Sequence, residues 1–239
     1  MSKIKFLALF LFTVAITAVL AIGCSEDTTT NNQGGNPPNI NMQAGAIDTF
    51  SVDSIQTNGN VVGTRFKTIH RYLNPITFQG KSNVFPVRAV TQDSLTSIPL
   101  VIDTFYVCYE AGKFYQWGII QLLDPNVTPT WDLIADYTVA FGTQWTIAAG
   151  VVTQFGTVNI KSKVAVDTTF KTNGWGERDV NAYRSEITAD IANIPFVYVD
   201  YFIGDADPST NPSGLVRLRL RPFLTFAGVD QKVQRWFIP

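Results

Sequence analysis

The single histidine limits the catalytic chemistry that this 239-residue chain can support. His70 shares a strand face with Phe66 and Tyr72, so we expect it to be partly buried, with its hydrogen bonds satisfied. One histidine cannot form a histidine-rich or Cys/His zinc site, and the sequence contains neither a Gly-x-Ser-x-Gly elbow nor a His-Glu-x-x-His motif. A Ser-His-Asp triad would have to include His70, and no serine lies in a context that supports one.

Paired carboxylates are the second route to catalysis, because a glycosidase needs two acids that flank a sugar bond. Most acidic residues are expected in turns or on solvated strand faces. Asp200 differs, since it lies within the apolar segment 196–202, where an unpaired carboxylate is costly. We expect it to pair with an arginine of the segment 217–221. The candidate acids are Glu110, Asp132, Asp136, Glu177, Asp179, Glu186 and Asp200.

The polar loop 205–213 spaces oxygen atoms at alternate positions, as calcium loops do. Its candidate ligands are Asp205, Asp207 and Asn211. Two prolines in the loop, and Val216 at the position of a closing glutamate, favour an ordinary turn without a metal ion. We therefore expect no cofactor.

Trp175 lies in a second loop, on a glycine-flanked turn where a large side chain is difficult to bury. A tryptophan displayed in this way can stack on a sugar or anchor a partner protein. If the two loops lie at one end of the domain, Arg178 and Asp207 lie beside it. The sequence therefore predicts a binding site that contains Trp175, Arg178 and Asp207.

Three arginines, Arg217, Arg219 and Arg221, alternate along one strand and place their guanidinium groups on one face, about 7 Å apart. Arg217 and Arg219 could hold an anionic glycan or a lipid headgroup. The alternative is that they pair with acids on a neighbouring strand. The chain has 18 basic and 19 acidic residues, so its near-neutral charge favours pairing and predicts no nucleic-acid partner.

Alternation of apolar and polar residues predicts β-strands throughout the chain after residue 46. Val158, Ile160 and Val164 share one face, while Lys161 and Lys163 occupy the other, which is typical of a half-buried strand in an antiparallel sheet. We predict an all-β fold, in which a single antiparallel meandering sheet curls into a barrel-like or sandwich domain. The eleven predicted strands are 47–57, 62–72, 84–91, 99–109, 114–123, 131–141, 144–153, 157–168, 180–191, 196–204 and 214–226, and a further candidate lies at 232–238.

The N-terminus predicts export and lipidation. Lys3 and Lys5 precede an apolar run over residues 6–22, and Gly23-Cys24 follows, which is the pattern of a lipoprotein signal. A transmembrane anchor is the alternative, but it needs no cysteine at the end of the run. We expect cleavage before Cys24 and acylation of its thiol. The predicted organisation is a signal peptide at 1–23, a lipidated cysteine and flexible tether at 24–46, and one β-rich domain at 47–239.

Cys108 is the one other cysteine, so lipidation of Cys24 leaves no partner for an intramolecular disulfide. It lies in a segment rich in aromatic residues, 104–109. We interpret it as a small buried hydrophobic residue rather than a nucleophile.

Several short motifs resemble β-rich lipoproteins of the Bacteroidetes type. Cys24-Ser25-Glu26-Asp27 resembles the acidic export signal of that lineage. Gly142-Thr143-Gln144-Trp145, the turn at Gly174, and residues 201–204 followed by 214–217 resemble a pattern in its β-rich domains, although the loop 205–213 interrupts the last motif here. The resemblance covers about residues 60–220. It implies a β-rich domain that a lipid anchors to the outer face of the outer membrane, and it implies no reaction.

These observations favour a non-enzymatic cell-envelope lipoprotein whose β-domain binds a glycan, a lipid or a partner protein. The alternatives are a glycan hydrolase that uses a carboxylate pair and a lipid carrier that encloses an apolar cavity. The interior of the sheet distinguishes these hypotheses. A filled interior favours the first, a cleft with two carboxylates the second, and an empty apolar cavity the third.

Overall fold

The computed structural model describes residues 40, 42–122, 124–153, 156–166, 170–172, 178–180, 182–191, 194–204, 215–221 and 227–237. Most of these residues lie in strands, which confirms the predicted all-β fold. The strands are β1 (Ile47–Ile55), β2 (Val61–Tyr72), β3 (Ile76–Phe78), β4 (Lys81–Asp93), β5 (Pro99–Glu110), β6 (Lys113–Trp117), β7 (Trp131–Asp136), β8 (Gln144–Thr153), β9 (Gly156–Val166), β10 (Phe170–Thr172), β11 (Arg178–Val180), β12 (Ala182–Ile191), β13 (Ile194–Gly204), β14 (Leu215–Leu220) and β15 (Gly228–Phe237). A short 3-10 helix, Ile119–Leu122, lies between β6 and β7.

In the described part of the chain, 13 strands form one antiparallel sheet, and β10 pairs with β11 separately. The strand order is β7-β6-β5-β4-β2-β1-β15-β14-β13-β12-β9-β8, and β3 adds to β4. The first half meanders outward from β1 to β7. The chain then crosses to the opposite edge at β8 and meanders back until β15 pairs with β1. The first and last strands therefore lie side by side in the middle of the sheet.

The sheet curls so that its β7 edge lies against β8 and β9. The Ser162 hydroxyl donates to the carbonyl of Ile134 at 2.7 Å, and the Trp145 indole N–H donates to the carbonyl of Leu133 at 2.9 Å. These bonds join side chains of β9 and β8 to the backbone of β7, whose ladder partner among the described strands is β6. The domain is therefore a curled, barrel-like sheet closed by side chains.

Alternating residues of each strand face the inside of the curl, as the sequence pattern predicts. On β1 the buried residues Asp48, Phe50 and Val52 alternate with partly exposed ones. The same inner face continues onto β2 with Thr68 and His70, because Phe50 pairs with Thr68 and Asp48 with His70. The apolar core draws on strands from both halves of the sheet.

Two strand predictions extend about five residues too far, and in both places an aspartate or a glycine ends the strand. β6 ends at Trp117 rather than 123, because Gly118 adopts a φ of 72° and the 3-10 helix follows. β7 ends at Asp136 rather than 141, because its carboxylate accepts a bond from the Thr138 amide at 2.9 Å and turns the chain. The short strands β3, β10 and β11 were not predicted, and the candidate at 232–238 belongs to β15.

The predicted signal peptide, Cys24 and most of the predicted tether lie outside the described residues. Of the residues that the structure describes, none belongs to a helix with the length and apolar character needed to span a membrane.

Candidate ligand-binding cavity

A cavity of about 320 Å³ lies inside the curl, between β2, β4, β5 and β6 on one side and β13, β14 and β15 on the other. Its lining is mainly apolar. Representative residues are Tyr72, Phe105, Phe114, Val199, Leu218 and Leu220. The cavity thus belongs to both halves of the chain, which meet where β1 pairs with β15.

Short side chains on β4 leave this space unfilled. In the register of the sheet, Ala89 lies between His70 of β2 and Asp103 of β5, and Thr91 lies between Thr68 and Val101. All six residues line the cavity. Protein interiors are close-packed, so a row of larger residues on β4 would fill the curl. The inward positions 87, 89 and 91 of the predicted strand 84–91 carry valine, alanine and threonine, and this decrease in size was the signal that sequence reasoning missed.

Four polar residues in the lining bond to one another in two pairs, whereas the buried Oε1 of Gln231 has no hydrogen-bond partner among the described residues. The hydroxyls of Thr68 and Thr91 lie 2.8 Å apart. The Tyr201 hydroxyl donates to the side-chain oxygen of Gln116 and joins β13 to β6 across the interior. Burial raises the pKa of Tyr201, so the phenol stays protonated. These pairs present little hydrogen-bonding capacity to a ligand.

His70 adds no charge to the cavity. Its ring lies between Phe50 and Phe105, with centroid distances of 4.8 and 5.2 Å. Burial lowers its pKa from 6.5 to about 4, so the imidazole is neutral near pH 7. The predicted burial of His70 is confirmed. The prediction that its hydrogen bonds are satisfied is wrong for Nδ1, which has no hydrogen-bond partner among the described residues.

The described lining contains no lysine or arginine, and its one carboxylate is that of Asp103. Asp103 is exposed, so it lies at the rim rather than in the interior. Burying a charged group without a partner is costly. The interior therefore suits an uncharged, apolar molecule.

The cavity opens beside β5. At one end its lining residues Tyr72, Val107 and Ile119 are buried, whereas Val101 and Asp103 at the other end are exposed. The exposed residues belong to the half of β5 that precedes its pairing with β6, which begins at Val107. An apolar molecule would enter at this place.

The four candidate acids whose side chains the structure describes all have structural partners, whereas Glu177 and the side chains of Asp179 and Asp200 lie outside the described residues. Asp132 accepts hydrogen bonds from the Ile120 amide and the Thr130 hydroxyl, at 3.3 and 3.0 Å. Asp136 pairs with Lys113 at 3.2 Å. The remaining two are Glu110, which pairs with Lys81, and Glu186, which pairs with Lys163 and Arg184. None of these four residues lines the cavity, and the described residues contain no group of three histidine, cysteine or acidic residues that could hold a metal ion.

Arg217 and Arg219 form an ion-pair cluster with Asp230 of β15 on the outer face of the sheet. Arg217 binds Asp230 through two N–H···O contacts of 2.8 and 2.6 Å, and Arg219 approaches it at 3.6 Å. Asp230 is fully buried beneath them. The register also places Asp200 directly opposite Arg219, in the neighbourhood predicted for it. Their role in binding an anion stays a prediction.

Several predicted site residues lie outside the described part of the chain. They are Cys24, Trp175, Asp205, Asp207 and Asn211, together with the side chain of Arg178, whose backbone belongs to β11. The loop-end binding site and the weak calcium site stay predictions. Cys108, by contrast, is described, and it is buried and free as expected, with its thiol pKa raised by burial.

No protein-family model matches the sequence, and no curated protein matches it. Two solved structures are similar in fold. A Bacteroides fragilis protein, named provisionally as exported and with a YmcC-like fold, is 8% identical with a TM-score of 0.42, and the match covers 85% of this chain and all of that one. A Parabacteroides distasonis protein, named provisionally as a lipoprotein, is also 8% identical with a TM-score of 0.42, and the match covers 83% of this chain and 97% of that one.

Likeness at this level transfers no ligand, activity or partner to this chain. Function must be argued from the residues described above.

Proposed function

We propose that this chain is a lipoprotein of the cell envelope whose β-domain binds a lipid, or another uncharged apolar molecule, inside the curled sheet. The cavity of about 320 Å³ is the observation that carries the proposal. Its volume lies at the lower end of the range of small-molecule pockets, about 300–1,000 Å³. Its apolar lining, neutral histidine and internally bonded polar groups favour such a ligand over a sugar or an ion.

The envelope location follows from the N-terminal signal and Cys24. Acyl chains on that cysteine would hold the domain at a membrane. The resemblance of Cys24-Ser25-Glu26-Asp27 to the acidic export signal of Bacteroidetes-type lipoproteins implies the outer membrane and its exposed face. A flexible tether of about 22 residues would then separate the domain from the lipid surface by roughly 25 Å.

The other functions considered from the sequence have less support. A glycan hydrolase requires two converging carboxylates, and the four described candidate acids instead hold turns and ion pairs. Binding of a glycan or a protein at Trp175 is a separate prediction. It is tested by comparing glycan-array or pull-down binding of wild type with that of folded Trp175→Ala protein.

Displacement of an uncharged fluorescent probe, N-phenyl-1-naphthylamine, by neutral lipids tests the cavity. Wild-type protein should bind the probe with an increase in fluorescence, and Ala89→Trp should lose this binding because the indole occupies the space beside His70. Val152→Trp, at a position that is 65% exposed on β8, is the matched control and should bind like wild type. Equal probe binding by wild type and a folded Ala89→Trp protein would contradict the proposal.

A further inference from the structure

The turn between β4 and β5 and the first residues of β5 expose several apolar side chains that are close together in the sequence. Residues 94–102, which we term the apolar hairpin, contain no charged side chain. Leu95 is 82% exposed, Ile98 60% and Leu100 54%, and Val101 and Ile102 are exposed to a similar degree. Scattered apolar residues are normal on a protein surface, but a contiguous group of this kind marks a site of interaction.

Hydrogen bonds and an ion pair stabilise the base of the apolar hairpin. The Asp93 carboxylate accepts hydrogen bonds from the amides of Leu95 and Thr96, at 2.8 and 3.2 Å. Arg65 of β2 pairs with the same carboxylate at 2.7 Å, and the Ser94 amide donates to the Arg65 carbonyl at 2.9 Å. The fold therefore holds the apolar side chains out in water instead of letting them collapse onto the sheet.

The apolar hairpin lies at the opening of the cavity. Val101 is both 58% exposed and part of the cavity lining. The start of β2 lies at the same end of the sheet, since Phe66 pairs with Asp93, and it adds the exposed residues Val61 and Val62. An apolar surface thus continues from the cavity interior to the tip of the hairpin.

Charge favours a lipid bilayer as the partner of this surface. The apolar tip carries no charge that would have to be desolvated, and the two charged residues at its base, Arg65 and Asp93, neutralise each other in an ion pair. The exposed carboxylate of Asp103 lies further along β5, at the rim of the cavity and outside the apolar tip. Exposed apolar side chains without a charge among them can enter the boundary of the headgroups and acyl chains, where their burial stabilises binding to the membrane. A protein partner that paired with the edge of β5 would not require this arrangement.

The predicted anchor can reach the same membrane. β1 begins at the opposite end of the sheet, since Ile47 pairs with Arg71, and its nine residues span about 30 Å. A tether of about 22 residues extends to at most roughly 75 Å. The chain can therefore run back along the domain to the bilayer that the apolar hairpin contacts.

We propose that the apolar hairpin inserts into the bilayer surface and places the cavity opening at the membrane, so that a lipid passes between the two without crossing water. The lipid transfer rests on the proposed function, whereas the insertion of the hairpin does not.

Fluorescence quenching in vesicles tests the insertion. The mature lipidated protein is reconstituted through its anchor into phosphatidylethanolamine and phosphatidylglycerol vesicles that contain spin-labelled acyl chains. A Thr96→Cys variant carries an environment-sensitive NBD label at the hairpin tip, and the buried Cys108 stays unlabelled. Asn74→Cys, in the exposed connection at the other end of β2, is the matched control.

We expect the fluorescence of the label at position 96 to be blue-shifted and quenched, and that of the label at position 74 to remain unquenched. The additional changes Leu95→Asp and Ile98→Asp should abolish the quenching at position 96. The double change Leu95→Ser and Ile98→Ser should reduce the quenching at position 96 without adding charge. Equal, weak quenching at positions 96 and 74 would overturn the proposal. A second pair of results would also overturn the proposal. In it, the protein self-associates in detergent and becomes monomeric with Leu95→Asp, but this change leaves the quenching in vesicles unchanged. If wild-type protein does not bind the probe in the cavity but its label at position 96 is still quenched, the proposed function is contradicted and the insertion is not.

Discussion

At the scale of single residues, the sheet changes the chemistry of His70. The ring is 3% exposed and packs between two phenylalanines, so its protonation would place a charge in an apolar interior. The carboxylates in its row of the sheet are Asp48 on β1 and the exposed Asp103 on β5. Burial dominates, and it lowers the pKa to about 4.

This lowered pKa predicts a pH-dependent stability. Between pH 6.5 and about 4 the unfolded chain binds a proton at His70 that the native protein does not, so the free energy of unfolding decreases as pH falls through this window. His70 contributes about 3 kcal/mol to the free energy of unfolding through this difference in pKa. The contribution is fully present above the pKa of His70 in the unfolded chain and is lost below its pKa in the native protein. Urea denaturation of wild type and His70→Gln at pH 7.5 and pH 4.5 measures it.

The glutamine variant should lose less stability than wild type on acidification, because it has no proton to bind. Carboxylates such as Asp93 and Asp136 titrate in both proteins, and their contribution cancels in the difference. Parallel pH profiles for the two proteins would show that His70 is not buried in its neutral form.

At the scale of elements, the close contact of β14 with β15 depends on a glycine. An added Cβ at Gly228 would lie 2.2 Å from the carbonyl oxygen of Leu220 and 3.1 Å from the Cα of Arg221. Both are backbone atoms, so no side chain can rotate away to make room. Gly228 also pairs with Ile55, at the point where the last strand joins the first.

Gly228→Ala should therefore destabilise the domain by about 1–3 kcal/mol, the range for overpacking in a well-packed interior. The measurement is thermal or urea unfolding followed by circular dichroism. Gly63→Ala in β2 is the matched control, since the nearest atom to its Cβ is Asp53 Oδ1 at 3.9 Å. We expect that variant to unfold like wild type. Similar unfolding midpoints for both variants would contradict the close approach of β14 and β15.

At the scale of the whole molecule, the proposed attachment to the membrane would depend on one of the two cysteines. Cys24 follows the apolar run, whereas Cys108 is buried within the sheet. Cys24→Ala should leave an unprocessed chain, because the lipoprotein peptidase needs the acylated thiol. Mass spectrometry of the N-terminus checks this result, and Cys108→Ala is the control that should be processed normally. An uncleaved, unmodified Met1 chain in wild-type membranes would exclude the lipoprotein assignment.

Local sequence determined much of this structure. Alternation along each strand, as in Val158, Ile160 and Val164, identified antiparallel strands with one buried face, because side chains on a strand point to opposite faces in turn. Cys108 was correctly placed inside by its aromatic neighbours. The lipoprotein signal, which lies outside the described residues, is likewise a local pattern, and it is the basis for the proposed envelope location.

Tertiary structure decided the features that depend on residues distant in the chain. The pairing of Ile47 with Phe237 joins strands about 190 residues apart, and no local pattern specifies such a partner. The cavity arises because Ala89 and Thr91 are short where the sheet curls over them, and the curl depends on contacts such as that of Ser162 with the backbone of Ile134. The sequence gives the size of each side chain. The space that a small side chain leaves becomes a cavity only when the strands on the opposite side of the curl are in place, because packing depends on all the neighbours together.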